Sequence, residues 1–582
     1  MSDLDHQFET KLSTLLRFIY PGHDTVALSR QARAAFWPDG EGMRAKARTP
    51  DDHGAWSEAD ALMIAYGNSI IDGEHKPLDL LLDFLLRYMR DAVNGVHILP
   101  FFPFSSDEGF SVTDYRAVNP VLGDWADINR IAEGFTLMSD LVLNHVSSQG
   151  TWFSDYRQGK TPFDEFFFEA SPEDDLSEVV RPRTNPLLRE VDTADGTKHV
   201  WCTFSHDQVD LDFSNPEVLF ECMRIMRLHI QNGVRIIRLD AVAFIWKEIG
   251  TNCIHLPQTH AIVQLLRLML DYEEERVVLL TETNVPNAEN LSYFGNRNEA
   301  HSIYNFSLPP LILHAMLTGT AQHLNRWQMA MPPAPRGCAY LNFSASHDGI
   351  GMRPAEGLLS QDDMDILCET TQKFGGLINM RALPDGGEKP YELNITFYDA
   401  LKGTVHGEDE WQFERFICSQ TIVMGLEGMP AFYIHALLAT HNDHEAVEKT
   451  GVNRAINRHR WHYPELRAYL DDPESTHARA LAEMSRRLKI RREQSAFHPN
   501  ATQFTLQLGD AVFGFWRQNL YRDQSIFALH NVTDMKAMVP CVSLNLIEGE
   551  KWVDLLSGDV IDPVDGEIEF APYQSRWITT RV

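Results

Sequence analysis

RIIRLDA, residues 235–241, decides how the rest of the chain is read. Val234, Ile236 and Ile237 form a short β-rich run that ends in Arg238 and, two residues on, Asp240. Residues i and i+2 of a strand project to the same side, so Arg238 and Asp240 are expected to point together into one site. RVVLLTETN (276–284) repeats the plan, its apolar residues running into Glu282. CAYLNFSASHD (338–348) does so again and ends in His347 and Asp348. Three apolar strands therefore each deliver a carboxylate at a C-terminal end, where barrel enzymes hold their reacting groups.

Working outward, eight such runs recur between helical patterns. They are ALMIAYG (61–67), GVHILPFF (95–102), FTLMSDLVLNH (135–145), GVRIIRLDA (233–241), RVVLLTE (276–282), HSIYNF (301–306), CAYLNFSASHD (338–348) and GMPAFYIHA (428–436). Eight strands alternating with helices predict an α/β chain built on a (β/α)₈ TIM barrel rather than an open doubly wound sheet. No Gly-rich phosphate loop follows the first strand, so a nucleotide site has no support. Residues 61–497 are assigned to the barrel, with loop-rich insertions at about 146–232 after the third strand and 349–427 after the seventh. Insertions on the catalytic face usually shape substrate access. Residues 1–60 read as an N-terminal helical extension: one amphipathic helix (Phe8, Leu12, Leu15, Leu16, Ile19) and then a polar stretch. Short alternating strands with turn residues over 498–582 predict a C-terminal all-β domain.

Bulk properties narrow the partners. At 582 residues the chain exceeds one ordinary core, and 44% apolar against 23% charged residues describes a globular protein. A net charge of −31 argues against nucleic acid or an anionic membrane, both of which attract basic surfaces. It leaves room for a small anion, because a few local arginines override the global field. Seven cysteines without CxxC pairs, and an N-terminus lacking the layout of a signal peptide, predict a cytoplasmic protein with no membrane span. His441-x-x-His444 and Cys253-x-His255 lack further ligands at plausible spacing, and no Asp-rich calcium loop occurs, so no metal is expected.

Cleavage of a glycoside with retention needs two carboxylates about 5 Å apart, one attacking the anomeric carbon and one donating a proton from a raised pKa. Asp240 and Glu282 lie on consecutive strands of the series, which brings them together at one barrel rim. Asp348 would reach the site from the far side, and Arg238 is expected to keep Asp240 ionised. Here the chain resembles the α-amylase-like clan of glycoside hydrolases. Its four signature regions occur in order as DLVLNH (140–145), RIIRLDA (235–241), LLTETN (279–284) and FSASHD (343–348). The resemblance implies Asp240 as nucleophile, Glu282 as general acid/base and Asp348 as transition-state stabiliser, with His145, His347 and Arg238 around the −1 glucose.

GVHILPFFPFSSDEGFSVTDY (95–115), DQVDLDFSNP (207–216), RLDAVAFIWKEIGT (238–251), SHDGIG (346–351) and AINRH (455–459) resemble the sucrose-phosphorylase group within that clan. That likeness implies an Asp107–Arg458 ion pair closing the −1 pocket, Phe110 as a platform under glucose, and Gln208 nearby. The group's tyrosine four residues after the nucleophile, histidine two after the acid/base and glutamine in a mobile loop read here Phe244, Asn284 and Glu392. Three acceptor-side changes beside an unchanged glucose site point to a different acceptor for the same reaction. With RPRTNPLL (181–188), CIHLPQTH (253–260) and NEAHSIYNFSLPPLILH (298–314), they resemble the glucosylglycerate phosphorylase branch. Arg183, then Arg181 or Arg189, is the expected partner for a small acid's carboxylate or for phosphate, since a guanidinium fork matches both. The branch implies a sugar substrate and inorganic phosphate as partners, no cofactor, and a homodimer among its assemblies. Sucrose, sucrose 6′-phosphate or glucosylglycerol phosphorolysis, plain hydrolysis or transglucosylation, and a catalytically inert amylase-like subunit are the alternatives. The last lacks support because all three acids are present.

Overall fold

A computed structural model describes residues 3–38, 40, 42–44, 47–48, 56–383, 387–544 and 551–580. Eight parallel strands close into a barrel: β1 (Leu62–Ala65), β2 (Gly95–Ile98), β3 (Thr136–Val142), β4 (Val234–Asp240), β5 (Val278–Thr281), β6 (Ser302–Tyr304), β7 (Ala339–Asn342) and β8 (Met429–Tyr433). Each of the eight apolar runs holds one of them. Strands of a closed parallel sheet are covered on both faces, so they read as continuous apolar runs and not as alternation. β2, β5 and β7 are buried at every position. Register sets the site: Val142 of β3 pairs with Asp240 of β4, and Leu239 of β4 with Thr281 of β5.

The N-terminal residues form an outer layer on this barrel. Helix α1 (Asp3–Ile19) buries Phe8, Leu12, Leu16 and Ile19 along one face. The polar stretch expected after it holds a second helix, α2 (Thr25–Phe36), which the periodicity argument passed over. Its apolar stripe is thin (Leu28, Ala32, Ala35, Phe36), and its start is marked by Asp24, whose side chain accepts the backbone N–H groups of Val26 and Ala27. Residues 39, 41, 45–46 and 49–55 of that stretch lie outside the described residues. α2 packs on α3 (Pro216–Gln231) and α1 on α4 (Pro257–Asp271), the barrel helices on either side of β4. Trp37 and Arg227 both reach the buried Glu273, at 2.8 and 2.9 Å, and tie the layer down.

Two long excursions rise at the C-terminal rim. After β3, the strand His145–Ser147 pairs with Gln208–Asp210, and a hairpin joins Leu188–Thr193 to Gly196–Trp201. The irregular part ends before α3, which is itself the barrel helix leading into β4, so it is shorter than the 146–232 assignment. After β7, a hairpin pairs Leu377–Ala382 with Glu388–Asn394, and the helix Gln412–Gly425 returns the chain to β8. The C-terminal region holds a five-stranded antiparallel sheet (Thr502–Thr505, Val512–Gln518, Ser525–Asn531, Ser575–Thr579, Val553–Asp554). A separate pair, Ala537–Pro540 with Glu567–Phe570, includes one strand that the sequence pattern did not mark. Among the described residues no helix is long and apolar enough to cross a membrane, and all seven cysteines are free.

Phe8 lies with its ring 4.8 Å from Tyr272 and 5.9 Å from Trp37. Phe8→Ala should therefore cost about 3–5 kcal/mol and lower the thermal unfolding midpoint by several degrees. An unchanged midpoint would show that the outer layer does not share the barrel's core.

Candidate active site

Arg238 and Asp240 leave β4 on one side, as the spacing predicts, and the guanidinium becomes the hub of a buried charge cluster. Arg238 Nη1 contacts Asp140 of β3 and donates to Asp240 Oδ1 at 2.6 Å, while Nη2 stands 3.9 Å from Glu282 Oε2. Behind it, His97 Nε2 of β2 lies 2.7 Å from Asp140 Oδ2. Phe110 and Tyr304 cover the guanidinium with ring centres 5.7 and 5.6 Å away. Ala241, the residue after the strand, takes a left-handed conformation (φ 50°), and its N–H donates to Glu282 Oε2 at 3.0 Å. A cavity opens over Asp240, Glu282 and Asp348.

One wall carries the residues matched to the glucose pocket. Asp107, Phe110, His145, Gln208 and His347 line the cavity. Asp107 and Glu108 both have φ near 50°, and Gly109 follows at 115°. A Cβ on Gly109 would meet Pro100 O at 2.6 Å, so only glycine closes this turn. The turn aims Asp107 at Arg458 Nη1, 3.6 Å away, and Arg458 Nε donates to His347 O at 2.9 Å. Phe110 stacks parallel on His347 with ring centres 4.8 Å apart. His145 Nε2 lies 3.1 Å from the Gln208 amide nitrogen. Its neighbour Asn144 joins a buried Lys247–Asp210 ion pair of 2.9 Å that pins the end of β3.

The expected acceptor residues divide into those that line the cavity and those that do not. Arg183, Phe244 and Asn284 line the cavity. Arg183 lies over Tyr391 and Phe204 (5.0 and 5.7 Å to the ring centres), and among the described residues it has no carboxylate within salt-bridge distance. Arg181 turns away to Asn185 O, and Arg189 donates to His206 O at 2.6 Å. Neither lines the cavity. Glu392, expected on the acceptor side, does not line it either, because side chains alternate along the strand and its neighbour Tyr391 takes the inward position. The fully buried Glu392 carboxylate instead accepts two bonds from Arg454, at 2.7 and 2.9 Å, and one from Asn379 at 2.7 Å. Arg454 in turn stands 2.6 Å from Asp348 Oδ1. Asp140, Arg353, Tyr391 and Arg454 were not singled out in the sequence. Asp140 opens DLVLNH and Arg454 precedes Arg458 by one helical turn, but nothing local says that either faces a site.

These contacts set the charges. Burial raises the Glu282 carboxyl to about 7; Arg238 opposes the rise, and Asp240 and Asp348 add to it. Burial also raises Asp240, against the pull of Arg238. Of the two, Asp240 is the better placed to keep its charge, because the guanidinium touches it directly and is more distant from Glu282. At Asp348 burial is outweighed by Arg454, Arg458 and Arg238, and the carboxyl falls below its ordinary value. Asp140, buried but held by His97 and Arg238, falls to about 2. A carboxyl raised to about 7 beside one in direct contact with a guanidinium is the arrangement that acid-assisted attack on a glycosidic carbon requires.

Comparison with known proteins agrees with this class of site. The α-amylase catalytic-domain model matches residues 84–344. The chain is 40% identical to a glucosylglycerate phosphorylase of Spirochaeta thermophila over 98% of both chains. It is also 40% identical to one of Allomeiothermus silvanus, over 99% of this chain and 100% of the relative. A crystal structure of sucrose 6F-phosphate phosphorylase from Thermoanaerobacter thermosaccharolyticum superposes with a TM-score of 0.72 at 24% identity, covering 88% of this chain and 98% of that one. The chain belongs to the α-amylase family, within the group of glycoside phosphorylases to which these relatives belong.

Proposed function

We propose that the protein is a retaining glucosylglycerate phosphorylase, converting 2-O-α-glucosylglycerate and phosphate to α-glucose 1-phosphate and D-glycerate. The observation that carries this reading is Arg183: a guanidinium packed on the Phe204 and Tyr391 rings at the cavity, with no carboxylate within salt-bridge distance among the described residues. A cation so placed favours an acceptor that is itself an anion over fructose or glycerol. The two relatives at 40% identity, both named glucosylglycerate phosphorylase, support the choice of glycerate.

In the proposed cycle Asp240 attacks the anomeric carbon, the glycosidic C–O bond breaks, and the Glu282 proton passes to the departing glycerate oxygen. Asp348 faces the positive charge that develops on the sugar ring. Phosphate then takes the vacated position against Arg183 and attacks the β-glucosyl-enzyme, freeing Asp240 and yielding α-glucose 1-phosphate. Phosphate oxygen is already nucleophilic, so this step asks little of Glu282 as a base. Both acceptors are anions of similar reach, which lets one arginine serve both half-reactions. Asp107, Phe110, His145, Gln208, His347 and Arg458 would hold the glucosyl unit. Phe244 and Asn284 would shape the acceptor side, and Glu392 would act on it through Arg454.

The decisive assay supplies α-glucose 1-phosphate with D-glycerate, fructose, fructose 6-phosphate, glycerol or no acceptor and follows phosphate release. Glycerate should give the fastest release; faster turnover with fructose would overturn the acceptor assignment, and equal release in water would overturn phosphorolysis. Arg183→Ala should raise KM for phosphate and for glycerate by about tenfold or more, the worth of a charge-assisted hydrogen bond; two unchanged constants would remove Arg183 from the acceptor site. The third expectation concerns pH. Since Glu282 must carry its proton to assist departure, kcat/KM for glucosylglycerate should fall as pH rises through about 7. Asp140→Asn leaves more of the Arg238 charge to act on Glu282 and should move that limb to lower pH. A limb that stays in place would show that Asp140 does not tune the acid.

A further inference from the structure

Away from the cavity, three side chains that bind transition metals converge where the helices after β6 meet the excursion after β7. His314 comes from α5 (Leu308–Thr318), His323 from α6 (Gln322–Ala330) and Asp363 from the first turn of α7 (Gln361–Lys373). One ligand atom from each lies within 4.8 Å of the others. His314 Nε2 is 3.0 Å from Asp363 Oδ1, and His323 Nε2 is 3.3 Å from Oδ2. The two imidazoles meet edge to face, with ring centres 4.9 Å apart and planes at 88°. From these positions we propose a binding site for a divalent transition ion of the zinc class, ligated by His314 Nε2, His323 Nε2 and Asp363, with water completing the shell.

Three features support this beyond proximity. Zinc with bonds of about 2.0–2.1 Å in a tetrahedral shell sets its ligand atoms roughly 3.3–3.4 Å apart, close to both nitrogen–oxygen separations here. His323 Nδ1 faces Leu358 O at 3.1 Å. A ring nitrogen facing a carbonyl carries the proton, which in the neutral imidazole leaves the Nε2 lone pair directed at the carboxylate, an arrangement a cation between them would relieve. Asp363 is held from behind, its Oδ2 accepting the Ser360 hydroxyl at 2.7 Å and the Ser360 N–H at 3.0 Å. Neither His441-x-x-His444 nor Cys253-x-His255 belongs to this cluster.

The consequence is structural. α7 is the helix of the β7–β8 excursion that leads into the hairpin carrying Tyr391 and Glu392. An ion shared between α5, α6 and α7 would fix the base of that hairpin to the barrel wall, away from the reacting atoms.

The test uses the whole chain, stripped with EDTA and then titrated with zinc chloride by calorimetry, with metal content measured by mass spectrometry after gel filtration. Wild type should retain one zinc per chain and show a zinc-dependent rise in unfolding temperature. His323→Ala, at a partly exposed position, should bind zinc at least tenfold more weakly and lose that rise, while glucoside turnover stays near normal. Zinc bound equally by wild type and variant, or not retained by wild type, would overturn the site.

Discussion

The active-site rim is organised by one guanidinium that cannot leave its place. Arg238 is buried at the end of β4, with Asp140 on one strand, Asp240 on its own, and Glu282 on the next. Removing one partner of such a cluster strands a charge in low dielectric, which costs about 3–5 kcal/mol. That penalty forces β3, β4 and β5 to present their ends at matching height, and the strand register delivers it. The same geometry divides two chemically similar carboxyls. Direct contact holds Asp240 toward its ionised form, and the longer separation leaves Glu282 to the desolvation that raises it.

A second constraint reconciles a strongly acidic chain with a site that meets anions. The net charge is −31, and four acids, Asp107, Asp240, Glu282 and Asp348, line the cavity. Arg183, Arg353 and Arg454 line the same cavity, so the local balance is far from the global one. The three differ in what they have left to give. Arg454 is committed to Glu392 and Asp348, Arg353 stands 3.7 Å from Glu289, and Arg183 lies on two aromatic rings and donates to Pro182 O at 3.1 Å, with no carboxylate within salt-bridge distance among the described residues. Aromatic faces hold a guanidinium in place without cancelling its charge.

Much of this was legible in the chain itself. Continuous apolar runs located all eight barrel strands, three of them leading into the acids Asp240, Glu282 and Asp348, because a parallel barrel buries both faces of every strand. The helix α2 was missed for the converse reason: a surface helix on a barrel needs a thin stripe, and TVALSRQARAAF carries most of its polar residues outward. Asp240, the last residue of β4, and Glu282, the residue after β5, were recoverable because the two-residue period fixes direction at a strand end, whereas Asp348, six residues past β7, was recoverable from the likeness of FSASHD to a signature region. Residues on the excursions were not. Glu392 and Tyr391 are adjacent in sequence and face opposite ways, and only the pairing of Glu388–Asn394 with Leu377–Ala382 says which one looks into the cavity.

The sequence by itself determined the barrel, the order of its strands and the acids Asp240 and Glu282, since each follows from hydrophobic burial and the two-residue period of a strand, while Asp348, beyond the end of β7, followed from the likeness of FSASHD to a signature region. Tertiary structure alone decided which of Arg181, Arg183 and Arg189 remains available, why Glu392 serves Arg454, and how high the Glu282 pKa rises. Those outcomes depend on distances between groups far apart in the chain. Electrostatic energy in a buried site changes steeply with such distances, and no local pattern encodes them.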